Sequence, residues 1–255
     1  MRLRLDHSEL LRHLPDTPNF LETRAMLIER QHCGIGGVSC HNSVVWGLDA
    51  GLMTMIGRPD ASLICDTLAA CGQIVTLLAA GDQAEIGAAA VPEWEIAGAR
   101  RLVHVENRAW QQPRFARIAM LAPGDEDTIM SLPGDIRRDV AHAIMGGAAA
   151  GAWVAGQIVS VCYTGWQTES FCDLAIFTEM EHRGRGYARA AAYHLIRHVR
   201  AAGKVACWFT DESNVASLNI ARTLGFRFSD RVTVFRQPLN SGDGFTHGSK
   251  NQDSR

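Results

Sequence analysis

"EHRGRGYARA", residues 181–190, sets Gly184 and Gly186 among Arg183, Arg185, Arg189, His182 and Tyr187. Such a composition suits a basic patch for nucleic acid, a dinucleotide fingerprint, or a turn that cradles some other phosphate. The flanks decide between them. "DLAIFT" (173–178) reads as a strand and "RAAAYHLIRHVRAAG" (189–203) as a helix, so the stretch is a strand-to-helix turn. Free backbone N–H groups at a helix N-terminus point at whatever anion docks there. Gly184 and Gly186 remove the Cβ atoms that would hold a phosphate away and permit positive φ. Ala188 lets the helix start close to the strand, and the arginines add charge-assisted contacts. A GxGxxG fingerprint needs glycine where Arg189 stands, and GxxxxGK[ST] is absent. A nucleic-acid patch has no use for the glycines. What remains is a pyrophosphate turn of the pattern Arg-x-x-Gly-x-Ala, Arg183 to Ala188.

Around this turn the chain has 255 residues, of which 47% are hydrophobic and 20% charged. That balance supports a packed core over one large domain or two ordinary ones. A formal net charge of -2 gives no electrostatic reason to expect nucleic acid as a partner. The longest uncharged run, Val140 to Thr168, is broken by five glycines and then alternates like two strands joined at "AGQ". It is not read as a membrane helix. Seven scattered cysteines argue against a disulfide framework and for a reducing cytoplasm. In "QHCGIGGVSCH", His32, Cys33, Cys40 and His41 lack the short ligand pairs of zinc sites, so the segment reads as a glycine-rich turn with buried thiols and no metal.

Residues 1–107 alternate helical and strand-like segments. "RAWQQPR" (108–114) is a polar, proline-containing linker, and a new unit starts at "FARIAMLAP". Helices follow at "GDEDTIMSL" and "DIRRDVAHAIM", then strands at 152–161 and 171–178, the helix after the turn, the strand "VACWFT", the helix "NVASLNIARTLG" and a last strand, "RVTVFRQ". Residues 238–255 have almost nothing to bury and read as a flexible tail. The fold class expected from this alternation is α/β.

"IFTEMEHRGRGYARAAAYHLI" followed by "NVASLNIARTLGF" resembles the GNAT superfamily of acetyl-CoA-dependent N-acetyltransferases, over about residues 115–237. The resemblance implies acetyl-CoA as co-substrate, a primary amine of a small molecule or peptide as acceptor, and direct attack in a ternary complex. It also implies the binding residues. Ile176, Phe177 and Thr178 lie on a strand splayed from its neighbour, with the backbone of Ile176 and Thr178 meeting the pantetheine. The family's fold is a mixed, mostly antiparallel sheet flanked by helices, and in its turn Gly184, Arg185, Gly186, Tyr187, Ala188 and Arg189 hold the pyrophosphate through main-chain N–H groups, with Arg183 framing the turn. Asn214 and Ser217 lie near the thiol end, although Asn214 also reads as a plain helix N-cap. The element order of residues 1–107 is similar to the diverged first half of two-domain members. A homodimer is left open by the sequence.

Many members carry a tyrosine acid seven residues beyond the Asn, and here that position is Ala221. A thiol with a pKa of about 8.5 tolerates that loss better than an amine tolerates lack of a base. Asp173 is the first candidate base, ahead of Glu169, Glu179 and His182. Tyr187 and Tyr193 are further hydroxyls nearby in the chain. The missing tyrosine also admits a second class of function, an acyl-CoA-binding module without turnover.

Overall fold

Asp6 starts the first helix by accepting a hydrogen bond from the Ser8 N–H, and prolines at 15 and 18 separate that helix from the next. The computed structural model describes residues 6–29, 32–39, 41–106 and 117–238, with the backbone alone at Val38. Helix α1 (His7–His13) and a short 3₁₀ turn lead into α2 (Leu21–Glu29). An antiparallel meander of β1 (Cys33–Ser39), β2 (Asn42–Gly47) and β3 (Leu52–Gly57) follows. Helix α3 (Ala61–Cys71) ends on Gly72 at φ +53° and carries the chain to β4 (Thr76–Ala80), which is parallel to β3. Helix α4 (Gln83–Ala90) and β5 (Glu95–His104) come next.

The chain resumes at β6 (Arg117–Leu121), a 3₁₀ turn and α5 (Gly134–Gly146). A second meander contains β7 (Ala149–Val154), β8 (Gln157–Gln167) and β9 (Phe171–Thr178). Helix α6 (Tyr187–Ala201) connects β9 to the parallel β10 (Val205–Asp211), and α7 (Val215–Thr223) leads to β11 (Phe226–Arg236). The fold is thus mixed α/β, with a mostly antiparallel sheet flanked by helices, parallel pairing entering at β3–β4 and at β9–β10.

Two compact units divide the described chain. The first takes residues 6–101, 211–213 and 229–238; the second takes 102–106, 117–210 and 214–228. Strand order is β1-β2-β3-β4-β11 in the first and β5-β10-β9-β8-β7-β6 in the second, with β5 and β11 each passing from one unit into the other. The sequence reading kept everything from 114 to 237 together. The second half of β11 instead joins the first unit, where Val232 to Arg236 pair antiparallel with Ala80 to Thr76. The linker expected at 108–114 lies outside the described residues, as does the tail beyond Pro238. Both halves of the chain repeat one order of elements: helix, three-stranded meander, helix, parallel strand, helix, strand.

Each unit has its own core. Val44, Met53, Ile64, Leu77 and Phe235 pack together in the first. In the second, Leu195, Ile196, Trp208, Leu218 and Phe226 pack on one face of the sheet, and Val140, Ile144, Val161 and Tyr163 on the other. Three local expectations are corrected. "CGIGGVS" is strand β1 rather than a turn, because Gly34 lies under the Trp46 ring, where a Cβ would sit 2.3 Å from the indole. Its Cys33 is half-buried, and Cys40 is outside the described residues. "EDTI" makes only a 3₁₀ turn, and helix α4 was not anticipated, since its alanines and glycine give little amphipathic contrast.

One charged pair is buried inside the first unit. Arg101 on β5 donates through both terminal nitrogens to the two carboxylate oxygens of Glu22 on α2, each at 2.9 Å, with side-chain exposures of 2% and 5%. Leaving one such charge without its partner costs about 3–5 kcal/mol. Glu22→Gln or Arg101→Met is expected to lower unfolding stability by that order in a denaturant titration, and a loss below about 1 kcal/mol, typical of an exposed pair, would contradict the burial.

Candidate functional site

The ladder between β9 and β10 is short. It pairs Phe171 with Val205, Cys172 with Ala206 and Asp173 with Cys207, and ends there. Beyond Asp173, β9 continues through Leu174, Ala175, Ile176, Phe177 and Thr178 in register with β8 alone. The two parallel strands therefore form a fork whose β9 arm presents main-chain polar groups outside the β10 ladder. Such groups call for partners. Alternation along β9 sends Cys172, Leu174 and Ile176 to the face covered by α6 and α7, and Ala175 and Phe177 to the face covered by α5.

The turn after β9 has the backbone its glycines predict. Gly184 has φ +73°, and Gly186, the N-cap of α6, has φ +86°. No side chain caps the helix, and its first backbone bond runs from the Ala190 N–H to the Gly186 carbonyl. The N–H groups of Gly184, Arg185, Gly186, Tyr187 and Ala188 have no acceptor among the described residues. Arg183 and Arg185 are exposed, and neither meets a carboxylate among those residues. The turn is a concave array of donors with two cations at its rim, a geometry that takes an anion.

Two expectations here need correction. The Tyr187 side chain turns inward and packs against Ala152 and Val159, so only its backbone faces the turn. The Thr178 carbonyl, expected to be open, accepts from Arg183 Nε at 3.2 Å, and its hydroxyl lies 2.7 Å from Ser160 Oγ. Arg183 thereby fastens the turn to the end of β9. Arg189 is half-buried on the first turn of α6.

Helix α7 starts beside the fork. Asn214 is its N-cap, Oδ1 accepting from the Ser217 N–H at 3.0 Å. Ser217 Oγ accepts from Trp208 Nε1 at 2.8 Å. Ala221 is fully buried in the core and brings no hydroxyl to the site. Trp208 was missed by the sequence reading; its only signal was a single indole in the strand "VACWFT", which when buried requires an acceptor. Tyr193 packs against the core of the same face.

Asp173 stands at the vertex of the fork, half-buried, and Gly165 on β8 is small beside it, a Cβ there coming 3.7 Å from Asp173 Oδ2. The neighbouring thiols cannot act as nucleophiles near neutrality. Burial, reinforced by the Asp173 charge, pushes Cys172 up to about 12, and burial likewise raises Cys162, helped by Cys172 and Asp173. On the α5 face, the Tyr163 hydroxyl donates to Asp139 Oδ2 at 3.4 Å, and burial together with that carboxylate raises its pKa. Of the other candidate bases, Glu169 is exposed between β8 and β9, and Glu179 begins the turn with its N–H on the Val159 carbonyl. The His182 ring lies 6.0 Å from that of Tyr187, and its Nδ1 is buried with no hydrogen-bond partner among the described residues.

The first unit contains the same fork in a different state. Its parallel ladder also ends after three pairs, Leu52 with Thr76, Met53 with Leu77 and Thr54 with Leu78. Beyond it the gap is filled by Gln83 from α4. Gln83 Nε2 donates to the carbonyls of Gly57 at 2.7 Å and Met55 at 3.4 Å, while Oε1 accepts from the Ala80 N–H at 3.0 Å. The turn into α3 is short and carries Asp60 at the N-cap, a fixed negative charge where the second unit has its row of free N–H groups. In the second unit the residue at the Gln83 position is Val215, which has no amide to offer and is 62% exposed.

Residues 147–235, which hold the open fork and the turn, match the family model for GNAT acetyltransferase. Over these residues the chain is similar to the GNAT acetyltransferases, and that likeness supports acyl transfer in general. Solved structures share the fold over most of the chain. A GCN5-related N-acetyltransferase-like protein from Streptococcus suis is 16% identical, with a TM-score of 0.67 over 90% of this chain and 99% of its own. A GCN5-related N-acetyltransferase from Kribbella flavida is 12% identical, with a TM-score of 0.60 over 89% and 97%. A tandem GNAT protein from the clavulanic acid biosynthesis pathway is 13% identical, with a TM-score of 0.55 over 84% and 86%. No curated protein matches the sequence. Among the described residues no helix is long and apolar enough to cross a membrane.

Gln83→Ala leaves two carbonyls and an N–H in the first fork without their partner. It is expected to destabilise the protein by about 1–3 kcal/mol in chemical unfolding, against a few tenths for an exposed glutamine.

Proposed function

We propose that the protein is an acetyl-CoA-dependent N-acetyltransferase that acts on a primary amine of a small molecule or peptide by direct attack in a ternary complex. The observation that carries this reading is the row of N–H groups from Gly184 to Ala188, without acceptors among the described residues, at the end of an open strand fork. The turn takes the pyrophosphate, with Arg183 and Arg185 at its rim. The β9 backbone around Ile176 receives the amide-bearing pantetheine arm, and Asn214 frames its thiol end. No metal is needed for this chemistry. A cytoplasmic setting fits both the cysteine usage and the co-substrate.

Each side of the fork serves one substrate. The α6/α7 face takes the thioester, and the acceptor amine approaches from the side of Asp173. Holding both in one cleft supplies much of the rate by proximity. An α-amine, with a pKa of about 7.7–8.0, is partly neutral at pH 7, whereas a lysine amine near 10.4 needs a base. Asp173 removes the amine proton, directly or through a water.

The domain plan goes with this function. The acetyltransferase lies within residues 114–237, less the part of β11 that joins the first unit, and residues 1–107 descend from the same kind of half. The plugged fork and acidic cap of the first unit support a single acyl-CoA site per chain.

Calorimetric titration with acetyl-CoA is expected to give one site per chain, and Gly186→Val, which places a branched side chain at φ +86°, is expected to abolish binding. Two sites, or unchanged affinity in the variant, would refute the assignment of the turn. Asp173→Asn is expected to lower turnover by about a hundredfold with acetyl-CoA affinity nearly unchanged. The check is thiol release across a panel of amines, and unaltered turnover would return Asp173 to a structural role.

A further inference from the structure

Trp208 is the first β10 residue beyond the ladder with β9, and it is 1% exposed. A buried indole N–H needs an acceptor, and here the acceptor is Ser217 Oγ at 2.8 Å. The Ser217 backbone N–H is held by Asn214, so both ends of the residue are fixed. Its hydroxyl proton is the remaining donor, and no acceptor for it exists among the described residues. A hydroxyl whose oxygen already accepts a hydrogen bond is a stronger donor, because linked bonds polarise one another. One turn further along α7 stands Ala221, buried and without a polar atom. Ser217, tied to the first β10 residue past the ladder, thus has a spare hydroxyl donor one turn before the position where a hydroxyl is absent.

We propose that the Ser217 hydroxyl is the hydrogen-bond donor to the departing sulfur, with Trp208 as its positioning residue. The proposal rests on the acyl-CoA reading of the site. In the step itself the amine nitrogen bonds to the thioester carbonyl carbon, the C–S bond breaks, and its electron pair stays on sulfur as a thiolate. The surplus proton of the new amide nitrogen goes to the base on the Asp173 side. The thiolate accepts the Ser217 hydrogen bond and takes a proton from solvent on release. A thiol pKa of about 8.5 means that the sulfur has to be stabilised rather than protonated at once, which is within the reach of a serine.

The thiol of CoA, bound at saturation to the full chain, is titrated by its thiolate absorbance. In the wild type its pKa is expected to lie below that of free CoA. In Ser217→Ala it should rise by about one to two units, the worth of a hydrogen bond to a charged acceptor. Trp208→Phe keeps an aromatic side chain while removing the indole N–H, and should give a smaller rise in the same direction. Turnover of acetyl-CoA by Ser217→Ala should fall about tenfold or more with KM for acetyl-CoA unchanged. CoA that binds equally well and titrates identically in wild type and Ser217→Ala overturns the proposal and leaves the acyl-CoA reading standing. A wild-type chain that binds no CoA overturns both.

Discussion

The β9–β10 ladder stops after Asp173 and Cys207, and the second unit is organised around that stop. Parallel strands that remain paired along their length leave no main-chain groups for a ligand. Strands that part leave a row of them in a half-buried cleft, where they must be met by something. The placement of α6 and α7 follows from the same event. The two helices cover one face of the sheet from either side of the fork, and Trp208 at its start ties α7 down through Ser217. The site is thus a consequence of strand geometry before any catalytic side chain is considered.

The first unit meets the same constraint by another route. There the parted strands are bridged by one glutamine amide, which donates to two carbonyls of β3 and accepts from an N–H of β4. An amide is the group best suited to this gap, because it satisfies donors and acceptors of a split ladder at once. The pair of forks also differs in electrostatics. Neither helix has a side-chain cap hydrogen bond, but Asp60 puts a carboxylate at the positive end of α3, whereas the N-cap of α6 is the uncharged Gly186. One architecture therefore carries a sealed copy and an open copy of the same feature.

How much of this was readable from the chain depended on how local each requirement is. The turn at Gly184 and Gly186 was legible because positive φ, close anion approach and a helix start all impose themselves within a few residues. The strand before it and the helices on both sides followed from periodicity. Side-chain direction was less accessible. Tyr187 sits in the motif but faces the core, because α6 packs its apolar stripe inward and Tyr187 falls on that stripe. Gln83 at the start of a short helix reads like any solvated residue, and its role depends on a ladder ending elsewhere in the chain. The glycines of β1 misled because glycine signals both a turn and a close packing partner, and here the partner is Trp46. The destination of β11 was hidden for a similar reason: alternation identifies a strand but not the neighbour it will choose.

That destination bears on how the protein is made. Val232, Val234 and Phe235 belong to the core or sheet of the first unit, and Gly87 on α4 has no room for a Cβ because the Phe235 ring would be 2.5 Å away. During synthesis, residues 6–101 leave the ribosome long before residue 236 exists. Domains usually fold from the N-terminus as they emerge. Here that order is unavailable to the first unit, whose β4 keeps an unpaired edge and whose Phe235 pocket stays vacant until translation has passed β11. The nascent chain must carry an open strand edge, of the kind that pairs promiscuously, for most of its elongation.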